Sequence, residues 1–214
     1  MKKRLNILCV LIFLVLGYST YQSGYSSGRA LRLGMDIGKT KNKELLQRVY
    51  NMHSVGLMPK SEHFLADSVY NEKTDTYLPA SYSLLAVSID ANAGSGYPIM
   101  LVIFSLLSFI AMVTAIIFFI LLVVSVNRSD IFTWKNISRI RWVGYMLILY
   151  FVSNLVPILL TETLLKGVLS IKGYMLDFSE LITTTSLILG IASLIIAEVF
   201  AVGLKMKEDQ ELTI

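Results

Sequence analysis

The 214-residue chain is 55% hydrophobic and only 16% charged, and its formal net charge is +4. Charged residues make up about 25% of an ordinary soluble domain, so this composition excludes a typical soluble fold and predicts a membrane protein. Cys9 is the only cysteine, which excludes an intramolecular disulfide and a cysteine-based metal cluster.

Four apolar segments follow one another along the chain, and each predicts a membrane-spanning helix. About 20 residues at a rise of 1.5 Å cross the hydrocarbon core of a bilayer. The first apolar run, from about Leu5 to Tyr21, follows three basic residues, and 1–21 is interpreted as a retained anchor, with a cleavable signal peptide as the alternative. The other spans are predicted at 98–126, 142–161 and 181–203.

The placement of lysine and arginine predicts the topology. The short segment 127–141 carries four basic residues, Arg128, Lys135, Arg139 and Arg141, whereas 162–180 carries only two, against three acids. Basic residues in short loops favour the cytoplasm. We therefore expect both termini and the 127–141 loop to be cytoplasmic, with 22–97 and the 162–180 loop outside. The chain is therefore expected to cross the membrane several times.

The length of the outer segment 22–97 predicts a small extracytoplasmic domain between the first two spans. Residues 43–52 have helical apolar spacing, and 82–89 have the composition of a strand. The overall prediction is an all-α membrane protein with four transmembrane helices and this small domain, ending in a cytoplasmic tail at 204–214.

No catalytic, cofactor or metal site is predicted. The GMDIGKT stretch at Gly34–Thr40 is one residue short of a phosphate-binding loop, and losing one residue loses the backbone cradle. His53 and His63 are the only histidines, and their spacing from nearby acids fits no metal site. The chain is therefore interpreted as a non-enzymatic protein without a cofactor.

Glu198 is the one charge inside the fourth apolar segment. It lies seven residues before Lys205, about 10 Å along a helix, and so near the inner interface. Such a group usually has a partner, and Arg139 and Arg141 begin the third span. Structural pairing is the favoured interpretation. The alternatives are a side chain that simply reaches the headgroups, and ion or proton transport.

The loop between the second and third spans carries both basic and aromatic residues. Charge alone would allow nucleic-acid binding, but its position between two spans favours a topology signal instead. Asp130 or Thr133 is predicted to cap a short helix whose apolar side, formed by Trp134, Ile137 and Ile140, lies on the membrane. We expect Arg139 and Arg141 to meet Glu198 or the acidic tail, which contains Glu208, Asp209 and Glu211.

Two groups of residues carry a family resemblance. The loop contains Phe132-Thr133, Asn136, Arg139-Ile140-Arg141 and Gly144, and the end of the fourth span contains Glu198-Val199-Phe200 and Gly203, followed by LKMKEDQELTI. Over roughly 98–214 the chain resembles the bacterial membrane proteins of domain-of-unknown-function family 2975. The resemblance implies a location in the bacterial cytoplasmic (inner) membrane, four membrane helices and an unassigned biochemistry. It also implies a cytosolic partner of the Xre type, because family members are often encoded beside such helix-turn-helix regulators.

The resulting functional hypothesis is a membrane sensor or relay whose loop and tail dock that regulator. A small transporter or a channel accessory subunit is the alternative, although polar residues for a path near the midplane are few. Besides the regulator, the expected partners are the lipid bilayer and a second copy of the chain. Small residues four apart in the fourth span permit close helix packing and indicate that this helix is central; they are Ser186 and Gly190, then Ser193, Ala197 and Ala201. Direct nucleic-acid binding is not expected.

Overall fold

The computed structural model describes residues 42–90, 94, 96–127 and 132–212, with single residues and short runs between 7 and 39. Every described residue from 7 to 38 is helical. The predicted anchor at 1–21 lies largely outside the described residues. The contacts divide the chain into two compact units. The sheet unit consists of Asn42–Ser105 and Ser153–Thr183. The helix unit consists of Leu106–Val152 and Thr184–Ile214, which group with Met1–Lys41.

The sheet unit begins with a short helix and is built on two antiparallel β arrangements. Helix α1 is capped by Asn42, whose Oδ1 accepts hydrogen bonds from the backbone N–H groups of Glu44 and Leu45. One sheet has the strand order β4-β1-β5, and β2 and β3 form a separate hairpin. The elements are α1 (Lys43–Tyr50), β1 (Met52–Pro59), β2 (Asp67–Asn71), β3 (Thr76–Ala80), β4 (Leu84–Ser88) and β5 (Tyr174–Leu176).

The register of the sheet places apolar residues of distant segments together. Gly56 of β1 lies opposite Leu84, and Leu57 lies opposite Leu176. A Cβ on Gly56 would lie 1.8 Å from the carbonyl oxygen of Asp177, so only glycine permits this approach. The buried core of the unit consists of Val55, Leu57, Leu165, Tyr174 and Phe178.

Three long helices follow, and each is long and apolar enough to cross a membrane. Their lengths of 32, 33 and 27 residues correspond to about 40–50 Å, more than the hydrocarbon core of about 30 Å. Apolar side chains along them are exposed, as in Phe109 at 69% and Ile195 at 60%, which suits a lipid environment. The helices are α2 (Gly96–Asn127), α3 (Trp134–Lys166) and α4 (Thr185–Glu211).

In the helix unit, α3 and α4 pack closely. Ile137 and Ile140 of α3 are buried in one cluster with Ala197, Ala201 and Leu204 of α4. The alanines, four residues apart, lie on one face and leave room for the isoleucines. Trp134, Ile137 and Ile140 therefore do not form a separate helix on the membrane surface. They belong to the first turns of α3, and the two isoleucines face α4.

The predicted fold class is wrong in two respects. The chain is not all-α, because five strands are present among the described residues. The same residues contain three candidate membrane spans, not four. The 162–180 segment, predicted as a plain outer loop, supplies β5 to the sheet. Its pairing with β1 joins segments far apart in sequence, which local apolar periodicity does not reveal.

Candidate functional site

The site begins where α3 starts. Thr133 precedes α3, and its Oγ1 accepts a hydrogen bond from the backbone N–H of Asn136 at 3.3 Å. Its carbonyl oxygen accepts from the N–H of Ile137 at 3.1 Å. These bonds satisfy donors that the first helical turn would otherwise leave free. The expectation that Thr133 caps a helix is confirmed, and Asp130 lies outside the described residues.

Arg141 and Glu198 form a two-pronged ion pair between α3 and α4. Arg141 Nε donates to Glu198 Oε1 at 3.0 Å, and Nη2 donates to Oε2 at 3.1 Å. A guanidinium matches a carboxylate in this geometry with two parallel hydrogen bonds. The expected contact of Arg141 with Glu198 is present. A carboxylate engaged on both oxygens favours a structural role over that of a proton or ion carrier.

Arg139 takes different partners, so that part of the expectation is wrong. Its Nη1 donates to the carbonyl oxygen of Leu121 in α2 at 3.1 Å and to Asn136 Oδ1 at 2.9 Å. Side chains that are two positions apart on a helix point to different sides. Arg139 therefore reaches α2, whereas Arg141 reaches α4. Asn136 is only 1% exposed, and the bond from Arg139 gives its buried amide oxygen a donor.

Two further contacts join the start of α3 to the end of α4. Phe132 meets Phe200 edge to face at a centroid distance of 5.6 Å, and Trp134 Nε1 donates to Glu208 Oε1 at 2.8 Å. We call these two contacts and the Arg141–Glu198 pair the clamp. The sequence placed Glu208 in the acidic tail expected near the basic loop, but did not predict Trp134 as its partner. The signal for it was the indole N–H of Trp134, which usually finds an acceptor, on the same side as an acidic tail.

Gly144 is a packing position. A Cβ on Gly144 would lie 2.8 Å from side-chain atoms of Leu194 and 2.9 Å from the carbonyl oxygen of Gly190. The two glycines therefore allow α3 and α4 to approach closely. The sequence singled out Gly144 and noted Gly190 separately, without predicting that they meet.

The acidic residues of the tail lie in the last turns of α4. Glu211 Oε1 lies 3.7 Å from Lys207 Nζ, in an exposed pair one turn apart on the same helix. Asp209 lies between them in sequence and on the same helix. Neither acid forms the clamp, in which Glu208 takes part. Of the two alternatives predicted for Arg141, Glu198 is the partner, and Glu208 of the tail contacts the start of α3 through Trp134.

The two histidines lie apart in the sheet unit. His53 is half-buried in β1, 6.1 Å from Tyr97 between ring centroids, and burial lowers the pKa of its imidazole. His63 packs against Gly173, where an added Cβ would meet its ring. Within the part of the chain that the structure describes, no three histidine, cysteine or acidic residues could hold a metal ion.

A known protein family matches most of the chain. The family described as "Protein of unknown function (DUF2975)" matches residues 66–214, which is well over half of the chain. The match begins before the roughly 98–214 covered by the sequence motifs and includes β2, β3 and β4 of the sheet unit. Neither a curated protein nor a solved structure matches the chain.

Proposed function

We propose that this chain, which belongs to the DUF2975 family, is a non-enzymatic protein of the bacterial cytoplasmic membrane that docks a cytosolic helix-turn-helix regulator. The docking surface is the loop end of α3 together with the last turns of α4. In this proposal the protein relays a state of the membrane or of its outer side to the regulator.

The clamp is the observation that carries the proposal. Helix α4 continues without a break from its apolar part through Lys205 to Glu211, about 10 Å beyond the apolar segment. Two contacts hold this end of α4 against the start of α3. Trp134 donates a hydrogen bond to Glu208, and the ring of Phe132 contacts the ring of Phe200. The polar end of α4 is thus an ordered helix bound to α3, and such a surface suits specific protein recognition.

Exposed side chains on this surface support docking. Phe132 is 57% exposed, Trp134 46%, and Met206 59%, next to the charged residues of the tail. Exposed aromatic and methionine side chains near charged groups are typical of protein interfaces. The occupant that we propose is the Xre-type regulator that the family resemblance implies.

The charge distribution supports a cytoplasmic position for this end. Lys135, Arg139 and Arg141 lie near the start of α3, and Lys205 and Lys207 lie near the end of α4. Lysine and arginine next to membrane spans favour the cytoplasmic side. The opposite ends of α3 and α4 are flanked by 162–180, where acids outnumber bases.

The proposal is tested by crosslinking in native membranes. The full chain, a variant lacking 205–214 and the double variant Trp134→Phe with Glu208→Gln are each crosslinked in cells, purified and analysed by mass spectrometry. We expect the full chain to recover a DNA-binding regulator and both variants to recover far less. Lys172→Ala, in the 162–180 segment, is the matched control and should recover as much regulator as the full chain.

Two outcomes contradict docking at this surface. One is a full chain that recovers no regulator under crosslinking. The other is equal recovery by the truncated variant when its amount in the membrane equals that of the full chain. Membrane fractionation of every variant shows whether a lost partner reflects lost docking or lost protein.

A further inference from the structure

A cavity in the sheet unit is not part of the proposed docking surface. Its volume is about 330 Å³, within the range of about 300–1,000 Å³ that is usual for small-molecule sites. Its walls come from β1, the start of α2, α3 and the segment that contains Phe178 and Leu181. Apolar side chains form most of its lining, notably Leu101, Ile158 and Phe178.

One end of the cavity is polar, and its hydrogen atoms can be assigned. The Thr161 hydroxyl donates to the carbonyl oxygen of Pro157 at 2.7 Å. A hydroxyl has only one hydrogen, so the Tyr97 hydroxyl must be the donor in its 2.7 Å contact with Thr161 Oγ1. The Tyr97 oxygen therefore keeps its lone pairs free to accept a hydrogen bond from a ligand.

His53 stands beside Tyr97 at this polar end. Burial lowers the pKa of its imidazole, which keeps the ring neutral at pH 7, with one donor and one acceptor nitrogen. No Lys, Arg, Asp or Glu is among the described residues that line the cavity. A charged ligand would thus lose its hydration without gaining an opposite charge, so the lining favours an uncharged molecule.

A buried polar group that does not line the cavity lies one helical turn before Pro157. Ser153 precedes Pro157 by four residues on α3 and so shares its face. Its side chain is 1% exposed, and in the described structure its hydroxyl has no hydrogen-bond partner. Pro157 also has no N–H to give to the carbonyl of Ser153. Buried polar groups without partners are rare and often mark a functional position.

We propose that this cavity binds an uncharged amphiphile, an aliphatic chain or ring that carries one hydroxyl group. The hydroxyl donates to Tyr97 or His53 and accepts from the imidazole N–H, while the aliphatic part packs against Leu101 and Ile158. The site does not depend on the docking proposal, since its test measures ligand contact alone and either proposal can fail by itself.

The test is photolabelling of the full chain in lipid nanodiscs with octanol that carries a diazirine at its far end. Peptide mapping locates the label, and excess 1-octanol defines the specific fraction. We expect specific label near Leu101 and Ile158. At equal amounts in the membrane, 1-octanol should compete roughly tenfold better than octane, octanoate or octyltrimethylammonium. Octane lacks a hydroxyl group and the two ions carry a charge, so only the alcohol combines the hydrogen bonds with an uncharged head.

Variants locate the site. Leu101→Trp fills the cavity and should abolish the specific label, whereas the matched control Leu106→Trp, at a position 58% exposed on the same helix, should keep it. Tyr97→Phe should remove most of the advantage of octanol over octane. Equal competition by octane in the unaltered chain would assign the cavity to lipid chains, and equal competition by octanoate would refute an uncharged ligand. Specific label that survives Leu101→Trp would refute this location.

Discussion

Arg141 and Glu198 illustrate how a single residue pair accommodates charge in an apolar segment. Their side chains are 35% and 65% exposed. Nε donates to Oε1, and Nη2 lies 3.0 Å from Oε1 and 3.1 Å from Oε2. An isolated carboxylate in this segment would be unfavourable. The pair also favours one relative position of α3 and α4, because two guanidinium nitrogens and both carboxylate oxygens must stay within hydrogen-bond distance.

A charge reversal tests the pair. Glu198→Gln should lower the free energy of unfolding by about 1 kcal/mol or less, since the pair is partly exposed. Arg141→Glu should cost more because it places two carboxylates together, and adding Glu198→Arg should recover most of that loss. Unfolding in mixed detergent measures all three. Lys207→Gln, which breaks only the exposed pair with Glu211, should change stability less. A double variant no more stable than Arg141→Glu would contradict the pairing.

His53 should make the stability of the protein depend on pH. Its folded pKa lies below the ordinary value of 6.5 because of burial, so below pH 6.5 the unfolded chain binds more protons than the folded one. Stability is therefore full above pH 6.5 and is lost as the pH falls below it. The thermal unfolding midpoint should decrease between pH 7.5 and 5.5, and His53→Gln should reduce this decrease. An unchanged decrease in the variant would show that other groups cause it.

At the scale of elements, the packing of α3 against α4 depends on two glycines. A Cβ on Gly190 would lie 2.8 Å from the Ile148 side chain and 3.0 Å from the carbonyl oxygen of Gly144. Because no large side chain lies between the helices, their backbones come into van der Waals contact. Such close packing is a usual source of helix association in lipid.

Alanine substitutions distinguish this contact from a general effect of glycine. Gly190→Ala forces the helices apart and should destabilise the protein by roughly 1–3 kcal/mol. Gly203→Ala, on the same helix with nothing within 4 Å of the added Cβ, should be neutral or stabilising by up to about 1 kcal/mol, since alanine favours helices. Unfolding in mixed detergent measures both. Equal effects of the two substitutions would exclude close packing at Gly190.

At the scale of the whole molecule, the three candidate spans and the distribution of charge predict which segments face the cytoplasm. The turn between β2 and β3 belongs to the segment expected outside, and the last turns of α4 belong to the segment expected inside. Both positions are exposed, so a water-soluble reagent can reach them.

Cysteine labelling tests this topology. In a Cys9→Ser background, Thr74→Cys should react with a membrane-impermeant maleimide in cells whose outer face is accessible. Gln210→Cys should react only after the cells are lysed. Both sites should react equally in detergent, which controls for intrinsic reactivity. Labelling of Gln210→Cys before lysis would reverse the proposed orientation and remove the docking surface from the cytosol.

Several local features were predictable from the sequence. The helix at Lys43–Tyr50 and the strand at Leu84–Ser88 were expected from local apolar spacing. The cap at Thr133 was expected from its hydroxyl before an apolar run. The contact of Arg141 with Glu198 followed from one charge inside an apolar segment that needed a partner of opposite sign.

Other features depended on distant segments and were missed. The three-residue strand Tyr174–Leu176 is too short to show an apolar period, and only its pairing with β1 makes it a strand. The cavity beside His53 joins residues of β1, α2 and α3, so no local pattern marks it. Arg139 was assigned to the wrong partner because helical phase, not sequence proximity, decides which neighbour each arginine reaches.

The sequence by itself determined that this chain has long apolar helices and basic residues beside them, because the length of an uncharged run and the count of charges are properties of the linear chain. Only the tertiary structure decided that the sheet unit combines two distant segments, that Glu208 rather than Asp209 or Glu211 takes part in the clamp, and that His53 faces a cavity. The physical reason is that hydrogen bonds, close packing and burial depend on which segments meet in space.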